Sequence, residues 1–76
     1  MIATSIKDMR KRLGWSQAKL AAEIGVTQAN VGHYESERHE PSPPVARRIV
    51  SVGNKNGVQI SFDTIYGHLR GQKEVA

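Results

Sequence analysis

Two short segments of the chain carry nearly the same pattern of residue types. WSQAKL (residues 15–20) and VTQANV (residues 26–31) each place a hydroxyl, a glutamine and an alanine between two apolar residues. Ser16 and Thr27 fit the N-cap position, where a hydroxyl accepts a hydrogen bond from an unpaired backbone N–H. Gln17 and Gln28 then occupy the first helical position, where the positive helix end and a long amide side chain suit an anion or a base edge.

The same repeat also has a purely structural interpretation. Trp15 can pack on Leu20, and Val26 on Val31, as hydrophobic staples that fix how each helix leaves its loop. Two well-capped helices would account for the hydroxyls and the apolar residues. They would not account for the two glutamines, which favour a binding role.

Other chemistry finds little support in the sequence. The three histidines lack compact metal-ligand spacing and carboxylate support, so no metal site is expected. No Ser/His/Asp set, paired carboxylates or phosphate-binding glycine loop is recognisable, so we expect neither an enzyme nor a cofactor. The histidines are His33, His39 and His68.

Length and charge narrow the class of protein further. Seventy-six residues allow a single small domain, and the net charge of +4 with a pI of about 9.9 favours a polyanionic partner. Cysteine is absent, which excludes disulfides and thiolate zinc sites. No apolar run is long enough for a signal peptide or a membrane span, so we expect a cytoplasmic protein that does not bind membranes.

The spacing of apolar residues predicts an all-α fold, a compact bundle of about five short helices in residues 1–67, followed by a polar tail in residues 68–76. Gly14, Gly25 and Gly67 are predicted helix ends, and residues 53–57 a turn. Thr4 or Ser5, Ser16, Thr27, Ser42 and Ser61 are the predicted starts. The apolar residues whose spacing carries this prediction are Ile6, Met9, Leu13; Leu20, Ala21, Ile24; Val31, Tyr34; Val45, Ile49, Val52, the predicted buried face of the fourth helix; and Phe62, Ile65, Tyr66.

Glycine at position 25 allows the left-handed backbone that joins two helices sharply, and Ala21 lets them pass closely. With these residues the stretch from Arg10 to Glu35, RKRLGWSQAKLAAEIGVTQANVGHYE, resembles the helix-turn-helix of the phage repressor and Cro family, the XRE type. The resemblance extends over about residues 5–66. It implies a lambda-repressor-like fold whose second helix crosses the DNA backbone and whose third enters the major groove.

The resemblance also implies roles for individual residues. Gln28 matches the position that reads a base, most naturally adenine, and Ala29 is short enough to meet a thymine methyl. Asn30 and His33 lie further along the same helix and could contact bases or phosphates, although plain exposure of His33 is equally consistent. Gln17 matches the position that binds a phosphate.

Basic residues are candidates for phosphate contacts around the residues implied to read bases. Lys7, Lys19 and Arg38 are the predicted phosphate contacts, with Arg38 favoured because it follows the third helix. Lys11 and Arg12 are further candidates. For any one of them a solvated surface charge is the alternative.

Arg10 and Glu35 match a pair that ties the first helix to the end of the third in many family members. A phosphate contact by Arg10 is the alternative. Many family members carry a glycine where Glu37 stands, so the path of residues 36–41 stays open. The minor-groove arginine of some phage repressors has no counterpart in the stretch EPSP, residues 40–43.

The function implied by the resemblance is transcriptional regulation, in the manner of a Cro-like phage repressor that binds a palindromic operator in double-stranded DNA. A homodimer, weak without DNA, is expected from apolar residues after the fourth helix, and no small-molecule ligand is expected. The alternative is the DNA-binding antitoxin of a toxin pair, for which only residues 68–76 remain to bind a toxin. The apolar residues are Val58, Ile60, Phe62 and Ile65.

Overall fold

The structure, a computed structural model, describes residues 1–67 and is all-α, as predicted. Residues 62–67 form the last helix, α5. One isolated parallel bridge pairs Ile2 with Gln59 and is the only extended pairing in this part of the chain. The predicted tail, residues 68–76, and His68 lie outside the described residues. The other helices are α1 Ile6–Leu13, α2 Gln17–Ile24, α3 Gln28–Glu35 and α4 Pro43–Lys55.

Hydroxyl caps begin four of the five helices. The side chain of Ser16 accepts a hydrogen bond from Lys19 N at 3.0 Å, and that of Thr27 from Asn30 N at 3.1 Å. Ser5 and Ser61 act alike at α1 and α5. Ser42 is the N-cap residue of α4, as predicted, but its side chain makes no cap hydrogen bond. Two prolines at the first positions of α4 remove two of the N–H groups that a cap would satisfy.

The ends of α1 to α4 share one geometry. A residue with a left-handed backbone follows the helix, and the N–H of the next residue donates to a carbonyl five residues earlier, the arrangement called a Schellman motif. Such bonds join Trp15 N to Arg10 O, Val26 N to Ala21 O, Arg38 N to His33 O, and Val58 N to Gly53 O. The left-handed residues are Gly14, Gly25, Glu37 and Gly57, with φ of 73°, 73°, 63° and 84°.

The core lies where the helices meet, and most of the predicted apolar positions belong to it. Met9, Leu20, Ile24, Val31 and Ile49 are at most 1% exposed. The predicted staple residues Trp15 and Val26 are half-buried and pack against this core. The apolar residues at the ends of both repeated segments are therefore structural.

The carboxyl-terminal half of α4 departs from the prediction. The sequence predicts Gly53 and Asn54 in a turn, but α4 continues to Lys55. The buried face of α4 consists of Ala46, Ile49 and Gly53, while Val45 and Val52 are half-buried beside it. A Cβ atom on Gly53 would lie 2.5 Å from Val58 O and 2.9 Å from the Met9 sulfur, so only glycine fits this contact.

One further expectation is corrected near the end of the described chain. α5 extends to Gly67, the last residue that the structure describes, so the end of this helix at Gly67 stays a prediction. Val58, Ile60 and Ile65 do not form an exposed apolar surface, because they are 4%, 4% and 5% exposed in the monomer core. Only Phe62, at 44%, is exposed among the four residues expected there.

In residues 1–67 no helix has both the length and the apolarity required to cross a bilayer.

Candidate nucleic-acid interface

The first turn of α3 presents three successive exposed side chains, those of Gln28, Ala29 and Asn30. Val31, which is fully buried, anchors this turn in the core, and the side chain of Thr27 caps its first residues. Backbone N–H groups at the start of a helix point outward without intrahelical partners, which gives this end a partial positive charge. Amide side chains and a positive helix end thus occur together at one exposed edge.

His33 lies one turn further along α3 and is half-buried. Its ring packs edge-on against the ring of His39, with centroids 5.0 Å apart and planes at 84°. Its carbonyl accepts the backbone N–H of Arg38 at 2.9 Å. His33 therefore connects α3 to the loop behind it and is less available than the three residues of the first turn.

Gln17, at the start of α2, is not a free side chain. Its Nε2 donates to Glu35 Oε1 at 3.1 Å, so the side chain joins the start of α2 to the end of α3. Because a carboxylate only accepts hydrogen bonds, the amide nitrogen must face Glu35. Only the second hydrogen of that nitrogen remains available for a contact between Gln17 and a phosphate.

The predicted pair of Arg10 and Glu35 is present. Arg10 Nε donates to Glu35 Oε2 at 2.6 Å and Arg10 Nη2 to Glu35 Oε1 at 3.2 Å. Arg10 Nη1 donates to Trp15 O at 2.9 Å. The two side chains are only 14% and 6% exposed. Since the guanidinium is engaged in this way, the structure favours the pairing over the phosphate contact considered for Arg10.

Burial raises the pKa of Glu35, but hydrogen bonds from Arg10 and Gln17, with the positive charges of Arg10 and Lys7, outweigh it. The pKa of this carboxyl therefore lies below its ordinary value. At neutral pH Glu35 is a charged group that holds α1, α2 and α3 together beneath the exposed turn.

The basic residues predicted as phosphate contacts are exposed but differ in their surroundings. Lys19 bonds Glu23 at 3.3 Å and lies 5.3 Å from the centre of the Trp15 ring. Arg38 follows the left-handed Glu37 and lines a shallow depression with Glu37, His39 and Glu40.

Lys7 lies at the opposite end of α3 from Gln28. It lines a cavity of about 380 Å³ together with Tyr34, Glu35 and Glu37. The start and the end of α3 are about 10 Å apart along the helix axis. Arg38, three residues after the last residue of α3, lies near the same end of the helix.

Two contacts near this surface were not anticipated from the sequence. Arg48 of α4 donates from Nη1 to the carbonyl of Ile24 at 3.1 Å, at the end of α2. Tyr66 donates from its hydroxyl to Pro41 O at 2.6 Å and so fixes the loop after α3. Burial, then the charge of Glu40 and the nearby Tyr34, raise the pKa of Tyr66. Helical periodicity could not reveal either contact, because both join residues 24 or 25 positions apart.

Within the described residues His, Cys, Asp and Glu form no group of three or more that could bind a metal ion.

Comparison with known proteins gives the family. A family model described as helix-turn-helix matches residues 6–65. The chain is 42% identical over 45 residues to the HTH-type transcriptional regulator SutR of Escherichia coli, a match that covers 59% of this chain and 24% of SutR. It is 34% identical over 59 residues to an uncharacterized HTH-type transcriptional regulator of Methanothermobacter thermautotrophicus, covering 78% of this chain and 86% of that protein. No solved structure gives a significant match.

Three observations indicate the same family. They are the order of the helices, the left-handed glycine between α2 and α3, and the match of the helix-turn-helix model across residues 6–65. This chain spans about a quarter of SutR, so the shared region is the helical domain described above. The chain belongs to the helix-turn-helix family of DNA-binding transcriptional regulators, in its XRE type.

Proposed function

We propose that this protein is a sequence-specific repressor of the small Cro-like kind that places α3 in the major groove of a palindromic operator. The observation that carries the proposal is the exposed run Gln28-Ala29-Asn30 on the first turn of α3. A major groove admits an α-helix, and the helix end that enters it contacts the base edges.

Each residue of this run has a role suited to its chemistry. The amide of Gln28 can both donate and accept, which matches the N7 and N6 atoms of adenine, and the methyl of Ala29 matches that of thymine. Asn30 reads a neighbouring base. His33, because it is half-buried against His39, contributes at the edge of the footprint.

Phosphate contacts hold the domain in register. Arg38 and Lys19 lie in exposed positions after α3 and in the first turn of α2, and Gln17 offers its remaining amide hydrogen. Lys7 adds a further positive charge near the carboxyl-terminal end of α3. The net charge of +4 supports such an interface.

The two-fold symmetry of a palindromic operator would match a homodimer of this protein. Two recognition helices related by a two-fold axis reach successive major grooves when they are about 34 Å apart. The large apolar side chains that are exposed within the described residues, and so available for such a contact, are Met1, Ile2 and Phe62. Because they are so few, the dimer is weak until DNA aligns the two copies.

Selection of bound sequences from a random pool of double-stranded DNA tests the proposal. We expect enrichment of a palindrome whose half-sites are centred about one helical turn, 10–10.5 base pairs, apart. A parallel selection with the triple variant Gln28→Ala, Asn30→Ala, His33→Ala provides the control and should lose the enriched sequence. A wild-type pool without a shared sequence would overturn sequence-specific recognition.

A further inference from the structure

Arg48 lies on the exposed side of α4, but its guanidinium reaches the turn between α2 and α3. Its Nη1 donates to Ile24 O at 3.1 Å. A Cβ atom on Gly25 would lie 3.3 Å from the same nitrogen, so the guanidinium covers the open side of this glycine. Arg48 therefore bonds the last residue of α2 and lies beside the glycine at which the chain changes direction.

The carbonyl that Arg48 satisfies has no partner within its own helix. At the end of α2 the N–H groups of Gly25 and Val26 both donate to Ala21 O, which leaves the carbonyl of Ile24 free of backbone bonds at this end. The last carbonyls of a helix carry its partial negative charge, which a cation stabilises. A charged donor at this point is stronger than a neutral one.

This contact matters for α3 because the turn is so short. Only Val26 and Thr27 separate Gly25 from Gln28, so a small change at the turn alters the direction in which α3 leaves it. α4 itself is anchored in the core by Ala46 and Ile49, both fully buried. Arg48 thus connects a fixed element to the point from which α3 is aimed.

We infer that Arg48 is a positioning residue for base recognition: by capping Ile24 O it holds the α2–α3 turn in the one orientation that lets Gln28 meet a base edge. The inference rests on the function proposed above. A bidentate base contact needs a fixed geometry, whereas attraction to phosphates does not. Loss of Arg48 therefore lowers the fraction of molecules competent to read the operator and leaves general attraction to DNA intact.

Binding to DNA gives the first measurement. At a temperature where all variants are folded, Arg48→Ala should bind the selected operator roughly tenfold more weakly, the equivalent of one charged hydrogen bond. Its affinity for random duplex DNA and the slope of log K against log salt should stay at the wild-type values. Arg48→Lys, which retains a charged donor, should recover part of the loss.

Arg47→Ala is the matched control, since it removes the same charge from the neighbouring exposed position of α4 and has the same effect on helix propensity. It should keep the wild-type ratio of operator to random binding. Equal weakening of both DNAs by Arg48→Ala, with a shallower salt slope, would identify Arg48 as a phosphate contact and overturn the inference. Unchanged operator affinity would do so as well.

Amide hydrogen exchange without DNA separates this inference from the proposed function. Val26 N–H, which donates to Ala21 O at 3.0 Å, should exchange several-fold faster in Arg48→Ala than in Arg47→Ala. Trp15 N–H makes the equivalent bond at the end of α1 and should be unaffected in either variant. If wild-type protein fails to discriminate sequences, the proposed function fails while this result still decides whether Arg48 holds the turn. Unchanged exchange at Val26 would overturn that role.

Discussion

At the scale of single residues, the two glutamines of the repeated segments have different surroundings. Gln28 is exposed at the start of α3, whereas Gln17 is bonded to Glu35. The same residue type at the same helical position is therefore free in one case and structural in the other. What distinguishes them is whether an acceptor from another helix lies within reach.

The roles proposed for Gln28 and Arg38 predict that their alanine variants lose different aspects of DNA binding. Gln28→Ala should lose about 1–3 kcal/mol of discrimination at one base pair per half-site and nearly keep its affinity for random DNA. Arg38→Ala should weaken both DNAs alike and make the salt dependence shallower by about one unit for each phosphate interaction that it removes. Titrations of operator and random duplexes at several salt concentrations measure both effects. Wild-type discrimination by Gln28→Ala at every position would rule out its recognition role.

Glu35 predicts a pH dependence of stability. Because its pKa is lower in the folded protein than its ordinary value, the stabilisation is fully present above about pH 4.3 and is lost as the pH falls through the folded value. The free energy of unfolding of the wild type should therefore fall more steeply between about pH 5 and pH 3 than that of Glu35→Gln. Urea titrations across this range test it. Asp8, whose pKa is also lowered through its bond with Arg12 and Thr4, affects both proteins equally. Parallel profiles would contradict the assignment.

At the scale of elements, the helix ends follow one local rule with one exception. Gly14, Gly25 and Gly57 provide the left-handed residue after α1, α2 and α4, but Glu37 provides it after α3. The left-handed conformation brings a Cβ atom close to the following carbonyl and costs about 1–2 kcal/mol for residues other than glycine. Strain is thus present at the end of the helix that carries the candidate interface.

Glu37→Gly should relieve this strain and raise the free energy of unfolding by about 1 kcal/mol, after allowance for the greater freedom of glycine in the unfolded chain. The neighbouring Ser36, with φ of −89°, supplies the control. Ser36→Gly removes no strain and should leave stability unchanged or lower it. Chemical denaturation of the three proteins measures the difference, and equal midpoints for Glu37→Gly and wild type would refute it.

Two glycines inside helices predict opposite effects of alanine. At Gly53 a Cβ would meet Val58 O at 2.5 Å, so Gly53→Ala should destabilise by about 1–3 kcal/mol. At Gly32 the nearest atom to a Cβ is Gln17 Nε2 at 3.9 Å, an ordinary contact. Gly32→Ala should therefore stabilise by up to about 1 kcal/mol, the difference in helix propensity. Thermal or urea unfolding would show the predicted order of stability, Gly32→Ala above wild type above Gly53→Ala; any other order contradicts it.

At the scale of the whole molecule, the core takes up most of the apolar surface that the sequence offers. Val58, Ile60 and Ile65 are buried in the monomer, which leaves Phe62, Ile2 and Met1 as the exposed large apolar residues of the described chain. Stable protein interfaces bury roughly 800 Å² per partner, more than three side chains supply. So few exposed apolar residues support weak self-association.

We therefore expect a monomer–dimer equilibrium that depends on concentration and shifts to the dimer on operator DNA. Phe62→Ser should weaken association and lower stability only modestly, because the side chain is 44% exposed. Ile65→Ser, 5% exposed, should unfold the protein more readily instead. Sedimentation velocity, free and with operator DNA, distinguishes these outcomes. A strict monomer in both conditions would exclude the homodimer.

The sequence determined those features that depend on neighbouring residues. The caps at Ser16 and Thr27 and the turn at Gly25 follow from hydroxyl and glycine chemistry within a few positions, so they could be predicted. The all-α class and most core positions follow from helical periodicity in the same way. Arg10 and Glu35, 25 positions apart, could be paired only through the family resemblance.

Only the tertiary structure decided what depends on distant segments lying side by side. Glycine is a residue type typical of turns, but Gly53 lies within α4, where Val58 and Met9 pack closely against it. The apolar character of Val58, Ile60 and Ile65 does not reveal whether these residues face the core or an exposed surface. In the folded chain they are buried in the core. The contact of Arg48 with Ile24 likewise follows from the packing of α4 on α2, since a surface arginine in sequence does not specify which carbonyl its long side chain will reach.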